Sequence, residues 1–210
     1  MINDNTVLSI VCDEPEGKVI RHVHQMSLTP LNLKKFWDKS RKFVTIFNEE
    51  VRGNFKKFLE VFLREGPEGI ECRGLFWVID DFVGIMYLTD MEAEVDAKVH
   101  YIFFDGRHKG RHNLVRAMIA YVMEKYNFRR LTAEAPLFYK PSALLFAEQI
   151  GFVKEGRKRL ARPFDGRWFD VNIYGILREE AVKWHPRSEQ LEGEALPASA
   201  TTSLIGSTNP

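Results

Sequence analysis

An α/β fold with a mixed, mostly antiparallel sheet flanked by helices is what this sequence predicts, and three observations carry it. Runs such as FVGIMYLT and EVDAKVHYIFF have strand length and are rich in β-branched and aromatic residues. Elsewhere apolar residues recur at three- and four-residue intervals, as on one face of a helix. Turn residues fall where one pattern gives way to the next, among them Asp80-Asp81, Asn127, Gly151 and Asp165-Gly166.

In chain order, VIRHVHQMS alternates like a strand and ends near Pro30. From Leu31 to Arg64, helical spacing links Leu33, Phe36 and Trp37, then Val44, Phe47, Val51, Phe55, Phe58, Leu59 and Phe62, and Gly66-Pro67 closes the helices. IECRGLFWVID, FVGIMYLT after a two-residue turn, and EVDAKVHYIFF predict an antiparallel meander. After DGRHKGRHN, the residues Leu114, Val115, Met118, Ile119, Val122, Met123 and Tyr126 form one helical stripe, with Asn127 as a left-handed stop. RRLTAEA is a short strand. KPSALLFAEQIGF is a second helix, with Pro141 in its first turn, Gly151 just past its end and Phe152 folding back on it. FVKEGRKRLARPFDGRWFDVNIYGILRE makes two long strands about Asp165-Gly166. The order is β, αα, βββ, α, β, α, ββ.

The 210 residues suit one domain with a full core, expected over residues 1–187. Residues 188–210 contain no lysine or arginine, three glutamates, and much Ala, Ser, Thr, Gly and Pro, a composition expected of a mobile tail. Net charge is +1, and +4 once those three glutamates are set aside, which gives no global drive toward nucleic acid or membrane. The N-terminus lacks a basic segment followed by a sustained apolar stretch, so a cytoplasmic protein is expected. Cys12 and Cys72 read as buried free thiols.

The stretch DGRHKGRHN concentrates glycines and cations at a strand-to-helix junction. A helix start leaves N–H groups unpaired at the positive end of the macrodipole, and Gly106 and Gly110 let the backbone bend around a ligand. Arg107, Lys109 and Arg111 add charge, so an anion such as a phosphate or pyrophosphate would satisfy the junction; a solvated basic loop is the alternative. No Gly-Lys-Ser/Thr follows and G-x-G-x-x-G is absent, which disfavours P-loop and dinucleotide folds.

RHKGRH resembles the acyl-CoA signature R/Q-x-x-G-x-G/A of the GNAT acetyltransferase superfamily, with Arg107 first, Gly110 fourth and His112, a departure, sixth. VHYIFF before it, LVRAMIAYVMEKY after it, then RRLTAEA and ALLFAEQIGFVKEG occupy the places of that superfamily's strand, helix, strand and second helix. The resemblance covers roughly residues 18 to 180 and is nearest to the ribosomal-protein and polyamine acetyltransferase branch. It implies the GNAT fold, acetyl-CoA as acyl donor without a metal, and an amine acceptor: a peptide N-terminus, a lysine, a polyamine or another small amine. It also implies that backbone N–H groups from His108 to His112 hold the pyrophosphate, that Ile102, Phe103 and Phe104 line pantetheine, and that Arg107, Lys109, Arg111 and Lys140 lie along the cofactor. A monomer or homodimer is expected.

For the chemistry, direct transfer needs a proton acceptor for the amine and a proton donor for the leaving thiolate. Asp96 and His100 share one strand face with Ile102, and either can serve as base. The family's usual helix tyrosine is Ala147 here and its usual asparagine is Lys140, so Tyr139 is the candidate acid. A CoA-binding module without catalysis is the main alternative. A nucleic-acid role for the basic hairpin 154–167 is a weaker one, because alternation puts Lys154, Lys158 and Arg162 on one face and Arg157 and Arg159 on the other. His22 and His24 share a strand face but lack a third metal ligand.

Overall fold

The computed structural model describes residues 6–184 except 44, 48 and 68. Val44 of the expected helical stripe and the expected tail at 188–210 therefore lie outside the described residues. The chain opens with a strand that the sequence reading lacks. This strand, β1 (Thr6–Glu14), pairs antiparallel with β2 (Gly17–Gln25), burying Ile10, Cys12 and Glu14 on one side. A buried glutamate at the third inward position hides the alternation from a hydrophobicity pattern.

Thr29 and Asn54 cap the next two helices with their side-chain oxygens, which accept from Asn32 and Lys57 N–H groups. The helices α1 (Pro30–Ser40) and α2 (Phe55–Phe62) bury Leu33, Phe36, Trp37, Phe58 and Phe62. Gly66-Pro67 does not simply close them. It belongs to a small hairpin of β3 (Leu63–Gly66) and β4 (Gly69–Cys72), separate from the main sheet. The run IECRGLFWVID is accordingly two strands, divided at Arg73-Gly74. A Cβ on Gly74 would stand 2.5 Å from the Leu88 carbonyl oxygen, so the backbones meet there closely. Cys72 is exposed rather than buried; Cys12 is buried, and both are free.

The second half of that run, β5 (Leu75–Ile79), begins the expected meander with β6 (Gly84–Glu92) and β7 (Asp96–Phe103). Then follow α3 (His112–Lys125), β8 (Arg130–Pro136), α4 (Pro141–Gln149), the hairpin β9 (Val153–Phe164) and β10 (Arg167–Leu177), and the short α5 (Arg178–Ala181). The main sheet has the order β1-β2-β5-β6-β7-β8-β10-β9, and only β7 and β8 are parallel. Gly151 takes φ +100 at the end of α4, and the Phe152 N–H returns to the Ala147 carbonyl at 3.1 Å. No described helix is long and apolar enough to cross a membrane.

Strand alternation divides the interior in two. Trp77, Ile79, Met86 and Leu88 pack with α3 and α4, whereas Phe76, Val78, Ile85 and Tyr87 face α1 and α2. On the second side Phe36 lies within 6.5 Å of the rings of Phe47, Phe58, Phe62, Phe76, Tyr87 and Phe104. The sheet is thus covered on both faces.

One polar cluster is buried among these layers. Glu14 accepts from Arg21 Nε and Nη2, both at 2.7 Å, and from Arg111 Nε at 2.9 Å and Nη2 at 3.1 Å. Arg111 also donates to Asp105 at 2.7 and 2.8 Å and lies 4.8 Å from the Phe103 ring, while Arg21 reaches Asp80. The hydrogen bonds from Arg21 and Arg111 hold the Glu14 carboxyl down at about 2 against an ordinary 4.5. As pH falls from 4.5, the unfolded chain takes up this proton before the folded one does. Glu14's contribution is therefore full above about pH 4.5 and lost as pH falls through about 2. Glu14→Gln should lower stability by roughly 3 kcal/mol at neutral pH, because it leaves buried guanidinium groups without their counter-charge. Across pH 5 to 2.5 its melting temperature should then decline less steeply than that of the unmodified protein; parallel slopes in thermal denaturation would contradict the assignment.

Candidate active site

The parallel pair β7 and β8 is joined at one register point, Lys98 opposite Thr132. Beyond it each strand keeps its outer partner, β6 or β10, while a cleft of about 430 Å³ opens between them. Val99, Tyr101, Ile102 and Phe103 of β7 line it on one side, Ala133 and Ala135 of β8 on the other, and Ala143 and Ala147 of α4 at its edge. A strand edge without a partner offers backbone donors and acceptors to an extended ligand.

At one end of this cleft lies the loop from Asp105 to Arg111. Gly106 at φ +71 and Gly110 at φ +82 bend it, and among the described residues the N–H groups of His108, Lys109 and Gly110, and those of the first turn of α3, find no acceptor. The first turn carries no acidic residue. Such a set of converging amides receives an anion. The arginines do not share that task equally. Arg111 is spent on Glu14 and Asp105, and Arg107 pairs with Glu16. Lys109 is exposed, and Lys140, at the start of α4, lines the cleft without an ion pair among the described residues. Gly110 has a structural reason as well: a Cβ there would lie 2.0 Å from the Asp13 carbonyl oxygen, so the loop is pressed on the end of β1. The His112 ring turns to α4, 4.9 Å from Phe146 with Nε2 3.1 Å from Gln149 Oε1, while His108 packs between Phe103 and Phe146.

A second cleft, also about 430 Å³, adjoins the first, and Ile46, Tyr87, His100, Glu134 and Tyr139 line both. Its outer walls are Ile46, Phe47 and Val51 on one side and Lys158, Ala161, Arg162 and Val171 of the β9–β10 hairpin on the other. Arg52 fastens the two, 3.1 Å from Asp165 and 4.6 Å from the Phe164 ring centre. At the junction His100 stacks on Tyr87, with centroids 4.5 Å apart, and its Nε2 is 3.0 Å from Thr89 Oγ1. Burial, helped by the Lys98 charge, pushes the imidazole down to about 4, so it is neutral at physiological pH. Burial also raises the Tyr139 hydroxyl, which keeps its proton. Burial alone would raise Glu134, but the hydrogen bond from Lys158 at 2.7 Å and the Lys98 charge outweigh it and leave the carboxylate ionised.

Of the sequence-predicted residues, the structure brings His100, Tyr139, Ile102, Phe103, His108 and Lys140 to the clefts. Asp96 stands at the closed end of the strand pair instead, where it accepts from Thr132 Oγ1 at 2.7 Å and lines neither cleft. Phe104 packs against Phe36 and Phe43 on the α1 side. Lys158 and Arg162, on a mostly exposed strand, line the second cleft. Glu134 went unread although RRLTAEA contains the signal: Ala133 and Ala135 face the core, so Glu134 must face the other way. His22 and His24 meet Ser9 and Thr6 across β1, and among the described residues no group of three metal-ligating side chains occurs.

The family model described as an acetyltransferase (GNAT) domain matches residues 35–173. Among solved structures, the spermidine N-acetyltransferase of Vibrio cholerae in complex with CoA and spermine is similar at 19% identity and a TM-score of 0.61, over 76% of this chain and 98% of that one. RimJ of Mycobacterium smegmatis in complex with CoA-disulfide is similar at 19% identity and a TM-score of 0.59, over 84% and 91% of the two chains. A dodecameric form of the Vibrio cholerae enzyme gives 17% identity and a TM-score of 0.54 over 81% of this chain and 96% of that one. No curated protein sequence matches the chain.

A neutral, buried His100 has a thermodynamic signature. Its folded-state pKa lies below the ordinary 6.5, so between about pH 6.5 and 4 the unfolded chain binds a proton that the folded chain does not, and stability falls as pH is lowered through that window. The imidazole resonances of His100 should titrate near 4 by NMR, and His100→Gln should flatten the melting-temperature profile between those limits. A midpoint near 6.5 would overturn the buried, neutral assignment.

Proposed function

The chain belongs to the GNAT acetyltransferase family, and from that premise we propose that acetyl transfer takes place where its two clefts meet, at His100, Glu134 and Tyr139. The enzyme is an acyltransferase that uses acetyl-CoA and acetylates an amine. The observation that carries the site proposal is continuity: one cleft runs from Gly106 and His108, in the loop that leads into α3, to the same residues that close the second cleft. The fit to the cofactor rests on chemistry of this chain. The N–H groups of 108–110 and 112–114, with Lys109 and Lys140, suit a pyrophosphate, and the unpaired edge of β7 past Lys98 suits an amide-bearing arm. When bound, acetyl-CoA supplies the thioester that the amine attacks directly.

The second cleft admits the acceptor. A base with pKa near 4 does not deprotonate a free alkylammonium at neutral pH, so the acceptor reacts as the neutral amine, and His100 takes its proton as the new C–N bond forms. Thr89 and the Tyr87 ring fix the imidazole in place. Tyr139, protonated and at the same junction, donates to the departing sulfur, a role that Ala147 leaves vacant on α4. Glu134, held by Lys98 and Lys158, keeps its charge and orders the floor beneath both.

Acetyl-CoA should raise the melting temperature, by the equivalent of roughly 2.7 kcal/mol at about 100 Kd, and Ala143→Trp, which fills the first cleft, should remove the shift. His100→Gln should lower kcat/KM about 100-fold and Tyr139→Phe should lower kcat about tenfold while CoA affinity holds. Because His100 titrates far below neutrality, the rise of kcat/KM with pH should follow the pKa of the acceptor and move when the acceptor is changed. Full activity in both variants would refute the residue roles. CoA binding without turnover of any amine would favour the silent-module reading.

A further inference from the structure

The second cleft has a charge pattern that the transfer reaction itself does not require. Across its floor four side chains neutralise one another. Asp90, on β6 at φ 48, lies 2.9 Å from Lys98 Nζ; Lys98 lies 3.5 Å from Glu134; and Lys158 reaches Glu134 at 2.7 Å. Two further cations line the same space, Arg73 just after β4 and Arg162 on β9, and neither has an ion pair among the described residues. The lining therefore holds Arg73, Lys98, Lys158 and Arg162 against Asp90 and Glu134, while His100, Tyr87 and Tyr139 are neutral. Both arginines are placed by the backbone. The Arg73 N–H donates to the Phe62 carbonyl at 2.7 Å, and Arg162 lies opposite Phe169 in the hairpin whose tip Arg52 fastens. The Arg162 charge acts on Tyr87, His100 and Tyr139, which puts it beside the junction.

The geometry points to an acceptor that is a small amine bearing a carboxylate or phosphate group, held by Arg162 and Arg73 while its amino group reaches His100. This rests on the acetyl-transfer reading of the junction. An unpaired guanidinium beside a half-enclosed cleft binds an oxyanion through charge-assisted, bidentate hydrogen bonds. A polyamine would instead bring further positive charge onto a surplus of the same sign, which disfavours it. The arginines give the floor's lysines no such role, because Lys98 and Lys158 are already committed to carboxylates.

The test compares acceptors of matched length: γ-aminobutyrate, n-butylamine and putrescine, with phosphoethanolamine and ethanolamine as a phosphate-bearing pair. With acetyl-CoA, kcat/KM for an anionic acceptor should exceed that of its uncharged counterpart and of putrescine by about tenfold or more. The better of the carboxylate and phosphate pairs identifies the anionic group. In the Arg73→Gln/Arg162→Gln double variant the preference ratio should fall toward one, while the acetyl-CoA melting shift shows that the variant is folded. Putrescine as the best acceptor, or an unchanged ratio in the double variant, overturns the inference. The same compounds are also titrated calorimetrically into the CoA-loaded protein. A preference for the anionic amines that the double variant loses sustains the inference even where no amine turns over and the acetyl-transfer reading fails; equal binding of all five compounds overturns it.

Discussion

The position of the active loop depends on one buried carboxylate. Glu14, at the end of β1, is shared by two arginines, one from β2 and one from the start of α3. Breaking such a pair strands a charge in the interior, so the geometry is held tightly even where the net stabilisation is small. The pair ties the loop 105–111 to a strand about a hundred residues earlier, and the Gly110 backbone fits against Asp13 because it has no Cβ. With Arg111 and Arg107 ion-paired, Lys109 and Lys140 are left near this helix start without an ion pair among the described residues.

From that anchor the sheet supplies the second constraint. Parallel strands β7 and β8 touch at Lys98 and Thr132, and Asp96 closes the joint by accepting from Thr132. The strands are outwardly supported by β6 and β10, so the opening between them does not have to collapse to satisfy their backbones on both sides. Asp96 is thereby a clasp at the closed end, and His100, four residues on, is the first titratable side chain of that face to reach the junction of the clefts.

Much of this was legible in the sequence because periodicity reports burial. The stripe from Leu114 to Met123, the Gly151 stop, the Asp165-Gly166 hairpin and the β5–β6–β7 meander all appear in the structure. What escaped lay where polar side chains are buried or the backbone bends without a pattern. β1 carries Glu14 inward, and the run IECRGLFWVID breaks at Gly74 because of an approach by Leu88 that no local pattern encodes. Strand alternation put Asp96 and His100 on the same face correctly, yet alternation gives the face and not the position along it. Only the place where β8 departs from β7 separates the two roles. Glu134, whose strand the sequence did predict, needed the same information.

The two basic stretches of the chain meet different surroundings in the fold. In RHKGRH both arginines look ligand-facing, yet Arg111 is buried against Glu14 and Asp105, while Arg107 pairs with Glu16 at the surface. In KEGRKRLARP they look like a solvated hairpin face, and most of that strand is exposed, while Arg162 lines the second cleft together with His100 and Tyr139. Counterions decide the difference. The signature loop lies against an acidic strand end, with Glu14, Glu16 and Asp105 within reach, whereas the hairpin crosses a floor whose two carboxylates are already occupied by Lys98 and Lys158. A buried cation whose counter-charge is built into the fold, such as Arg111, is committed to holding structure together. A cation without an ion pair can take its counter-charge from an entering group, which is the basis of the acceptor preference we infer for Arg73 and Arg162.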